Sequence, residues 1–276
     1  MLEAKGIRVA YGSKTVLKTV SCALHPGEVV AVIGPNGAGK STLLAAMSGA
    51  IQPSVGTVAV NGVPLHTLAP EPLALRRAVL EQTPVKDLPY TVETLVGLTI
   101  PRNVSPHEAD QITVRALRAV DLAQDAQTPV RNLSGGQAHR AHLARALGQL
   151  WAGRALGHGH YLLIDEPTAS LDLQHQRSVL DVVRLVAGDG AGVLIVLHDL
   201  TLAAAIADRV ILMHDGRIAA NATPSAVMQP EIIERVYETP VIVSQKGGQN
   251  IIAPDYRPMT QPHPKPEKQE QTCLSQ

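Results

Sequence analysis

The chain has 276 residues, of which 45% are hydrophobic and only 2% aromatic, so we expect one large α/β core built from aliphatic side chains. Basic and acidic residues balance at 24 each, which argues against a strongly basic surface and against a nucleic-acid partner. No stretch reaches the roughly 18–20 apolar residues of a membrane-spanning helix, and the first residues do not resemble a signal peptide. We therefore expect a cytosolic chain that meets a membrane only through a partner.

The first predicted elements are strands. Residues 7–10 and 16–24 are strand-like runs separated by turn-forming residues. Residues 29–33, Val-Val-Ala-Val-Ile, form an unbroken apolar run of the kind found in strands buried on both faces. A glycine-rich loop follows, and residues 41–47 then predict a helix.

The middle of the chain differs from the first part in its sequence pattern: it has helical periodicity and little strand signal. We interpret residues 84–147 as a helical subdomain inserted into the sheet domain, with helices over 92–98, 106–120 and 135–147.

Two later apolar runs, 161–164 and 193–197, predict further buried strands, each followed by a helical pattern. The fold class is therefore α/β, with a mostly parallel sheet covered by helices. We expect one domain over residues 1–257. Residues 258–276 are rich in Pro, Gln and Lys, which predicts a disordered tail.

The glycine-rich loop matches the P-loop pattern G-x-x-x-x-G-K-[ST] in full, with a strand before it and a helix after it. Such a loop turns backbone N–H groups towards phosphate oxygens at a helix N-terminus. Lys40 would reach the β- and γ-phosphates, and the Ser41 hydroxyl would hold Mg²⁺. The residues expected to bind nucleotide are Gly34, Pro35, Asn36, Gly37, Ala38, Gly39, Lys40, Ser41 and Thr42.

Two carboxylates follow the strand predicted at 161–164. Asp165 at the strand end is suited to coordinate Mg²⁺, and Glu166 is suited to act as general base on an attacking water. A solvated pair of carboxylates at a strand end is the alternative interpretation, but the P-loop elsewhere in the chain favours the catalytic one.

Residues 133–137, Leu-Ser-Gly-Gly-Gln, carry the resemblance that selects among P-loop proteins. They are similar to the signature sequence of ATP-binding cassette (ABC) ATPases, and the resemblance extends over nearly all of residues 1–225. It implies a P-loop NTPase fold of the RecA-like type, with an N-terminal antiparallel β subdomain and the helical insertion. It also implies nucleotide contacts from Ser134, Gly135, Gly136 and Gln137.

Further positions match family motifs. The resemblance implies that Tyr11 stacks on adenine, although a packing aromatic is the alternative. Gln82 would sense the nucleotide, contribute to the metal site and contact a permease, and His198 would lie near the γ-phosphate. Ser170-Leu171-Asp172 resembles the loop at the dimer interface, with Asp172 near the nucleotide.

In this family two ATP molecules are held between two chains, so the resemblance implies a homodimer that binds ATP and Mg²⁺. A chain without membrane helices also implies two permease subunits, an extracytoplasmic substrate-binding protein, and a location on the cytoplasmic face of the membrane. A soluble ABC protein of DNA repair or translation, a nucleotide sensor without hydrolysis, and an efflux pump are the alternatives.

Three segments resemble the importers of iron chelates, haem and vitamin B12: residues 88–96, 148–151 and 198–204. The second is similar to haem-import ATPases in particular. Haem is therefore the preferred cargo, with ferric siderophore or cobalamin as the alternative.

The remaining predictions concern one cysteine and four histidines. Cys22 is predicted to be a small buried hydrophobe. Four histidines, His139, His142, His158 and His160, are expected on the surface rather than in a metal cluster.

Overall fold

The structure of the chain is a computed structural model that describes residues 1–82, 85, 87–168, 171–247 and 249–257. Ser170 and the tail predicted over 258–276 lie outside the described residues, as does Pro84 at the predicted start of the helical insertion.

Three sheets are present in the described part of the chain. Their strands are β1 (Leu2–Tyr11), β2 (Lys14–Leu24), β3 (Val29–Ile33), β4 (Val55–Val60), β5 (Val63–Pro64), β6 (Arg77–Leu80), β7 (Tyr161–Asp165), β8 (Gly192–Val196), β9 (Arg209–His214), β10 (Arg217–Ala222), β11 (Val241–Lys246) and β12 (Gln249–Pro254). An antiparallel sheet has the order β2-β1-β4-β5, the central sheet has the order β10-β9-β3-β8-β7-β6, and β11 pairs with β12. In the central sheet β9, β3, β8, β7 and β6 are parallel, and β10 is antiparallel to β9.

The helices are α1 (Lys40–Ser48), α2 (Pro70–Arg76), α3 (Val92–Gly97), α4 (Pro106–Ala119), α5 (Gly135–Ala155), α6 (Leu173–Gly188), α7 (Leu200–Ile206), α8 (Pro224–Val227) and α9 (Pro230–Tyr237). Helices α3, α4 and α5 lie in the connection between β6 and β7, and they pack against one another. Over the residues that the structure describes, no helix has the length and apolar character needed to cross a bilayer.

The apolar run in β3 supplies two cores because successive side chains of a strand point to opposite faces of the sheet. Val29, Ala31 and Ile33 belong to a core shared with the helices of the insertion and with α6. Val30 and Val32 belong to a second core, shared with α1 and the antiparallel sheet. The predicted fold class is confirmed: an α/β protein with a mostly parallel central sheet and an N-terminal antiparallel one.

Helix α5 differs from its prediction. It ends at Ala155 rather than at residue 147, because buried Leu150 and Trp151 continue its packing against the core.

The surface prediction for the histidines is wrong for His139 and His142. Both are buried on α5, a helix that is buried on most of its circumference. The His142 ring is 2.8 Å from the carbonyl oxygen of Val85, and burial lowers the pKa of this histidine. Within the described ranges no cluster of three or more metal-ligating side chains occurs.

Candidate nucleotide site

The P-loop connects β3 to α1, and two of its glycines have backbone positions that exclude a side chain. Gly34 has φ 146°, and a Cβ there would lie 2.2 Å from the Met213 carbonyl oxygen. Gly39 has φ 98°, and its Cβ would lie 2.8 Å from Leu17. Left-handed backbone and close neighbours both require glycine at these positions. The loop conformation is therefore set by β9 and β2 as well as by its own sequence.

Lys40 is the first residue of α1, and its side chain turns back across the loop. The residue is only 6% exposed. Its Nζ donates hydrogen bonds to the carbonyl oxygens of Gly34, at 2.8 Å, and Pro35, at 3.1 Å. Burial lowers the pKa of Lys40, while Glu166 and Asp165 act in the opposite direction. A buried ammonium group beside a helix N-terminus is suited to bind an anion.

Ser41 and Asp165 bring two oxygen atoms together. Ser41 Oγ donates to Asp165 Oδ1 at 3.2 Å, which joins the start of α1 to the end of β7. The pKa of Asp165 is raised, because burial outweighs the opposite effect of the hydrogen bond from the Ser41 hydroxyl. A hydroxyl and a carboxylate are the hard oxygen ligands that Mg²⁺ prefers, and Mg²⁺ sites commonly combine one or two such groups with waters and substrate phosphates.

Glu166 is held by the ends of two strands that flank β7. Gln82, two residues after β6, donates from Nε2 to Glu166 Oε2 at 2.6 Å. His198, two residues after β8, forms a hydrogen bond through Nε2 with the other carboxylate oxygen, Oε1. Glu166 has φ 49°, which is rare for a residue with a side chain and is typical of functional sites. The parallel strands thus bring Gln82, Glu166 and His198 together at their carboxyl ends, where α/β proteins bind ligands.

A cavity of about 350 Å³ lies between these groups. Its lining residues are Lys14, Thr15, Val16, Asn36, Gly37, Gly39, Lys40, Ser41, Thr42, Glu166, His198, Asp215 and Gly216. The sequence prediction did not include residues 14–16, Asp215 or Gly216. Asp215 and Gly216 form the turn between β9 and β10, with φ 45° and 71°, and an Asp-Gly pair predicts such a turn. No pattern in the sequence indicates that this turn lies beside the P-loop.

Tyr237 at the end of α9 is a second residue that the motifs do not include. Burial raises the pKa of Tyr237 to about 12, while the backbone N–H of Gly34 acts in the opposite direction. The last helix of the described chain therefore reaches the first glycine of the P-loop.

The signature residues lie elsewhere. Ser134 caps α5 through a capping box, in which its Oγ accepts from Gln137 N–H at 3.2 Å and Gln137 Oε1 accepts from Ser134 N–H at 3.0 Å. Ser134 and Gly135 are exposed, and residues 134–137 do not line the P-loop cavity.

Two other predicted residues are also exposed. Asp172 caps α6 by accepting from His175 N–H at 2.9 Å, and this bond lowers the pKa of Asp172. Tyr11 at the end of β1 is 54% exposed and pairs with Lys14, which lines the cavity. The chain therefore presents a P-loop face, formed by the cavity and the strand ends around Glu166, and a separate signature face at the start of α5.

The sequence of this chain matches a known protein family and is similar to the sequences of named proteins. Residues 17–169 match the profile of the family described as "ABC transporter". The hemin import ATP-binding protein HmuV of Rhodopseudomonas palustris (strain BisB5) is 42% identical over 244 residues, which cover 88% of this chain and 93% of that protein. The protein of the same name from Pseudomonas fluorescens (strain Pf0-1) is 43% identical, over 92% of this chain and the whole of that protein.

The chain belongs to the ABC transporter family.

Solved structures support the same assignment for the fold. The ATP-binding subunit of an ABC transporter superposes with a TM-score of 0.75 at 27% identity, covering 86% of this chain and 98% of that subunit. A bacterial ABC transporter cassette solved as a dimer gives a TM-score of 0.70 at 26% identity, covering 81% and 99%. The chain is accordingly an ABC-type ATPase that binds ATP.

Proposed function

We propose that this ABC ATPase drives the import of haem. The observation that carries the cargo assignment is that relatives at 40–43% identity, aligned over most of the chain, are named as hemin import ATP-binding proteins. The P-loop, the paired carboxylates and His198 are all present in hydrogen-bonding arrangement, which supports an active ATPase rather than a nucleotide sensor.

Residues 34–42 would bind the nucleotide phosphates, and Lys40 would exchange its bonds to the Gly34 and Pro35 carbonyls for bonds to phosphate oxygens. The open space beside Gly37, where an added Cβ would meet no atom within 4 Å, fits a loop that must admit a ligand close to its backbone. Ser41 and Asp165, already 3.2 Å apart, would hold Mg²⁺. That ion would neutralise phosphate charge and draw electrons from the scissile phosphate.

Glu166 would accept the proton of the attacking water. Its two carboxylate oxygens already accept bonds from Gln82 and pair with His198, so both neighbours orient the base and keep it beside the cavity. Gln82 bonds to Glu166, the residue that follows Asp165 in the chain, and its amide would contribute to the metal site after release from Glu166.

The signature face would complete the site of a second copy. Ser134 and Gly135 at the start of α5 are exposed and do not line the P-loop cavity of their own chain, which fits phosphate binding in trans. Asp172 would lie near the same interface, and Tyr11 would stack on the adenine at the rim of the cavity. The dimeric cassette among the similar structures is consistent with a homodimer.

The relatives are named as ATP-binding proteins of hemin import, which supports the presence of further subunits that move the solute. We propose two permease subunits in the membrane, an extracytoplasmic substrate-binding protein, and attachment of this homodimer to the cytoplasmic face. The region around Gln82 would contact the permease.

Uptake in cells lacking only this gene tests the cargo. Uptake of haem should fail, whereas uptake of a ferric siderophore and of cobalamin should continue. Wild type should restore haem uptake and Glu166→Gln should not. Failure of siderophore or cobalamin uptake with intact haem uptake would contradict the haem assignment and leave the ATPase assignment in place.

A further inference from the structure

The C-terminal hairpin, formed by β11 and β12, lies beyond all the nucleotide-binding motifs, yet it is bonded to the segment that carries His198. The link is Thr201 on α7. Thr201 Oγ1 donates to the carbonyl oxygen of Ile252 at 3.2 Å and accepts from the N–H of Ile252 at 3.0 Å. One hydroxyl thus satisfies both backbone groups of a single β12 residue. We call this pair of bonds the hairpin tie.

Both ends of the hairpin tie are well anchored. The Ile252 side chain is buried in the larger core, so β12 is held by packing as well as by pairing with β11. On the other side, Asp199 Oδ1 accepts from Leu202 N–H at 3.0 Å and caps α7. The first turn of α7, which begins two residues after His198, is therefore fixed both by its own cap and by the hairpin.

A second cavity leaves room beside the segment that the hairpin tie holds. About 350 Å³ of open space lies between residues 198–200 and the opposite wall formed by α9 and the hairpin. His198 lines this space as well as the nucleotide cavity, and its side chain is 48% exposed. Close packing usually determines the position of a side chain. His198 has open space on two sides, so close packing does not determine its position. Its position then depends on its own bond to Glu166 and on the bonds of the neighbouring backbone.

We propose that Thr201 is a positioning residue, which acts through His198: the hairpin tie holds the start of α7 so that the imidazole meets Glu166. This inference rests on the proposed roles of Glu166 and His198. Loss of the tie would let residues 198–200 move into the second cavity. Since small misplacements of groups around a reacting centre reduce turnover strongly, we expect about a ten-fold loss of kcat.

The first test compares three variants of the full-length chain. Thr201→Val keeps the shape of threonine and removes both bonds, and it should lower the kcat for ATP about ten-fold. The KM for ATP and the thermal midpoint should stay close to wild type. Thr201→Ser keeps the hydroxyl and should restore turnover. Thr67→Val is the matched control, because Thr67 Oγ1 also donates to a backbone carbonyl, that of Pro64 at 2.8 Å, but lines neither cavity.

A double-mutant cycle then separates positioning from general stability. In a His198→Ala background, Thr201→Val should have no further effect on single-turnover hydrolysis of labelled ATP, because its target is absent. The proposal would be overturned by an undiminished effect in that background or by wild-type turnover in Thr201→Val. It would also be overturned if KM rises and the thermal midpoint falls together in Thr201→Val and Thr201→Ser does not restore them. Wild-type turnover in His198→Ala would instead overturn the role proposed for His198, so the two failures are distinguishable.

Discussion

The P-loop face and the signature face of this chain differ in how their polar groups are paired. At the P-loop face the functional groups bond to one another across the ends of the central sheet: Lys40 to the loop carbonyls, Ser41 to Asp165, and Glu166 to both Gln82 and His198. At the signature face Ser134 and Gln137 bond to each other, in the capping box of α5.

This contrast fits the proposal that one chain holds two complementary parts of a site without joining them. The P-loop face is pre-organised within the chain, because its groups come from α1 and three neighbouring strands. Ser134 and Gly135 of the signature face are exposed, and we propose that a second copy of the chain uses this face. Each prediction below tests one side of this contrast.

Glu166→Gln removes the proposed base from the P-loop face and should have the largest effect. An amide cannot accept the proton of water, so hydrolysis should fall by about 10²–10⁴-fold. ATP binding should persist and the variant should accumulate as an ATP-bound dimer on size-exclusion chromatography, because the signature face is untouched. Glu71→Gln on the exposed surface of α2 is the control. Normal hydrolysis in Glu166→Gln would show that another group is the base.

Lys40→Ala removes the buried cation of the P-loop face. We expect a loss of about 10²–10³-fold in turnover, with weakened nucleotide binding, because phosphate loses its main charged partner in the chain. ATP titration with a fluorescent analogue and an ATPase assay measure the two effects, with exposed Lys5→Ala as control. Wild-type turnover would contradict the P-loop assignment.

Ser134→Arg obstructs the signature face, and mixing it with Lys40→Ala tests directly whether two chains share their nucleotide sites. Each variant alone should be inactive. A mixed dimer, however, contains one site built from an intact P-loop and an intact signature, since the two lesions lie on opposite sides of the other site. An equal mixture should therefore recover up to about a quarter of wild-type activity, because half of the dimers are mixed and each has one intact site of two. No recovery on mixing, with dimer exchange verified, would argue against sites shared between chains.

Asp165→Asn should have the smallest effect of these variants. Its effect is on stability, and the direction of the change is informative. Burial raises the pKa of Asp165, so the folded chain binds this proton more tightly than the unfolded chain. The resulting stabilisation is complete below the ordinary pKa of an aspartate and is lost as the pH rises through the raised pKa. Without nucleotide at neutral pH, Asp165→Asn should therefore raise the thermal midpoint by a few degrees, and the difference should shrink towards acid pH.

Differential scanning fluorimetry without Mg²⁺ measures this shift. Asp181→Asn is the control, because Asp181 is an exposed partner of Arg177 on α6. A midpoint that stays the same or falls in Asp165→Asn would show that the buried charge is already compensated.

Local sequence patterns were sufficient for most of the fold. The apolar run of β3 predicted a strand buried on both faces, and alternate residues indeed enter two different cores. The buried histidines were mispredicted because α5 is covered on most sides, and a polar residue on such a helix gives no signal of its surroundings.

The features that consecutive residues carry can be predicted from the sequence: the P-loop, the signature, the paired carboxylates and the order of strands and helices. These follow from short-range backbone geometry and side-chain periodicity, which act within one strand–loop–helix unit. Which distant residues meet at the site depends on long-range packing and cannot be predicted from local patterns. The Asp215–Gly216 turn, Tyr237 beside Gly34 and the hairpin tie are examples, and each joins residues that are far apart in the sequence. The separation of the P-loop face from the signature face has the same origin, because the two lie on different elements whose distance no local pattern encodes.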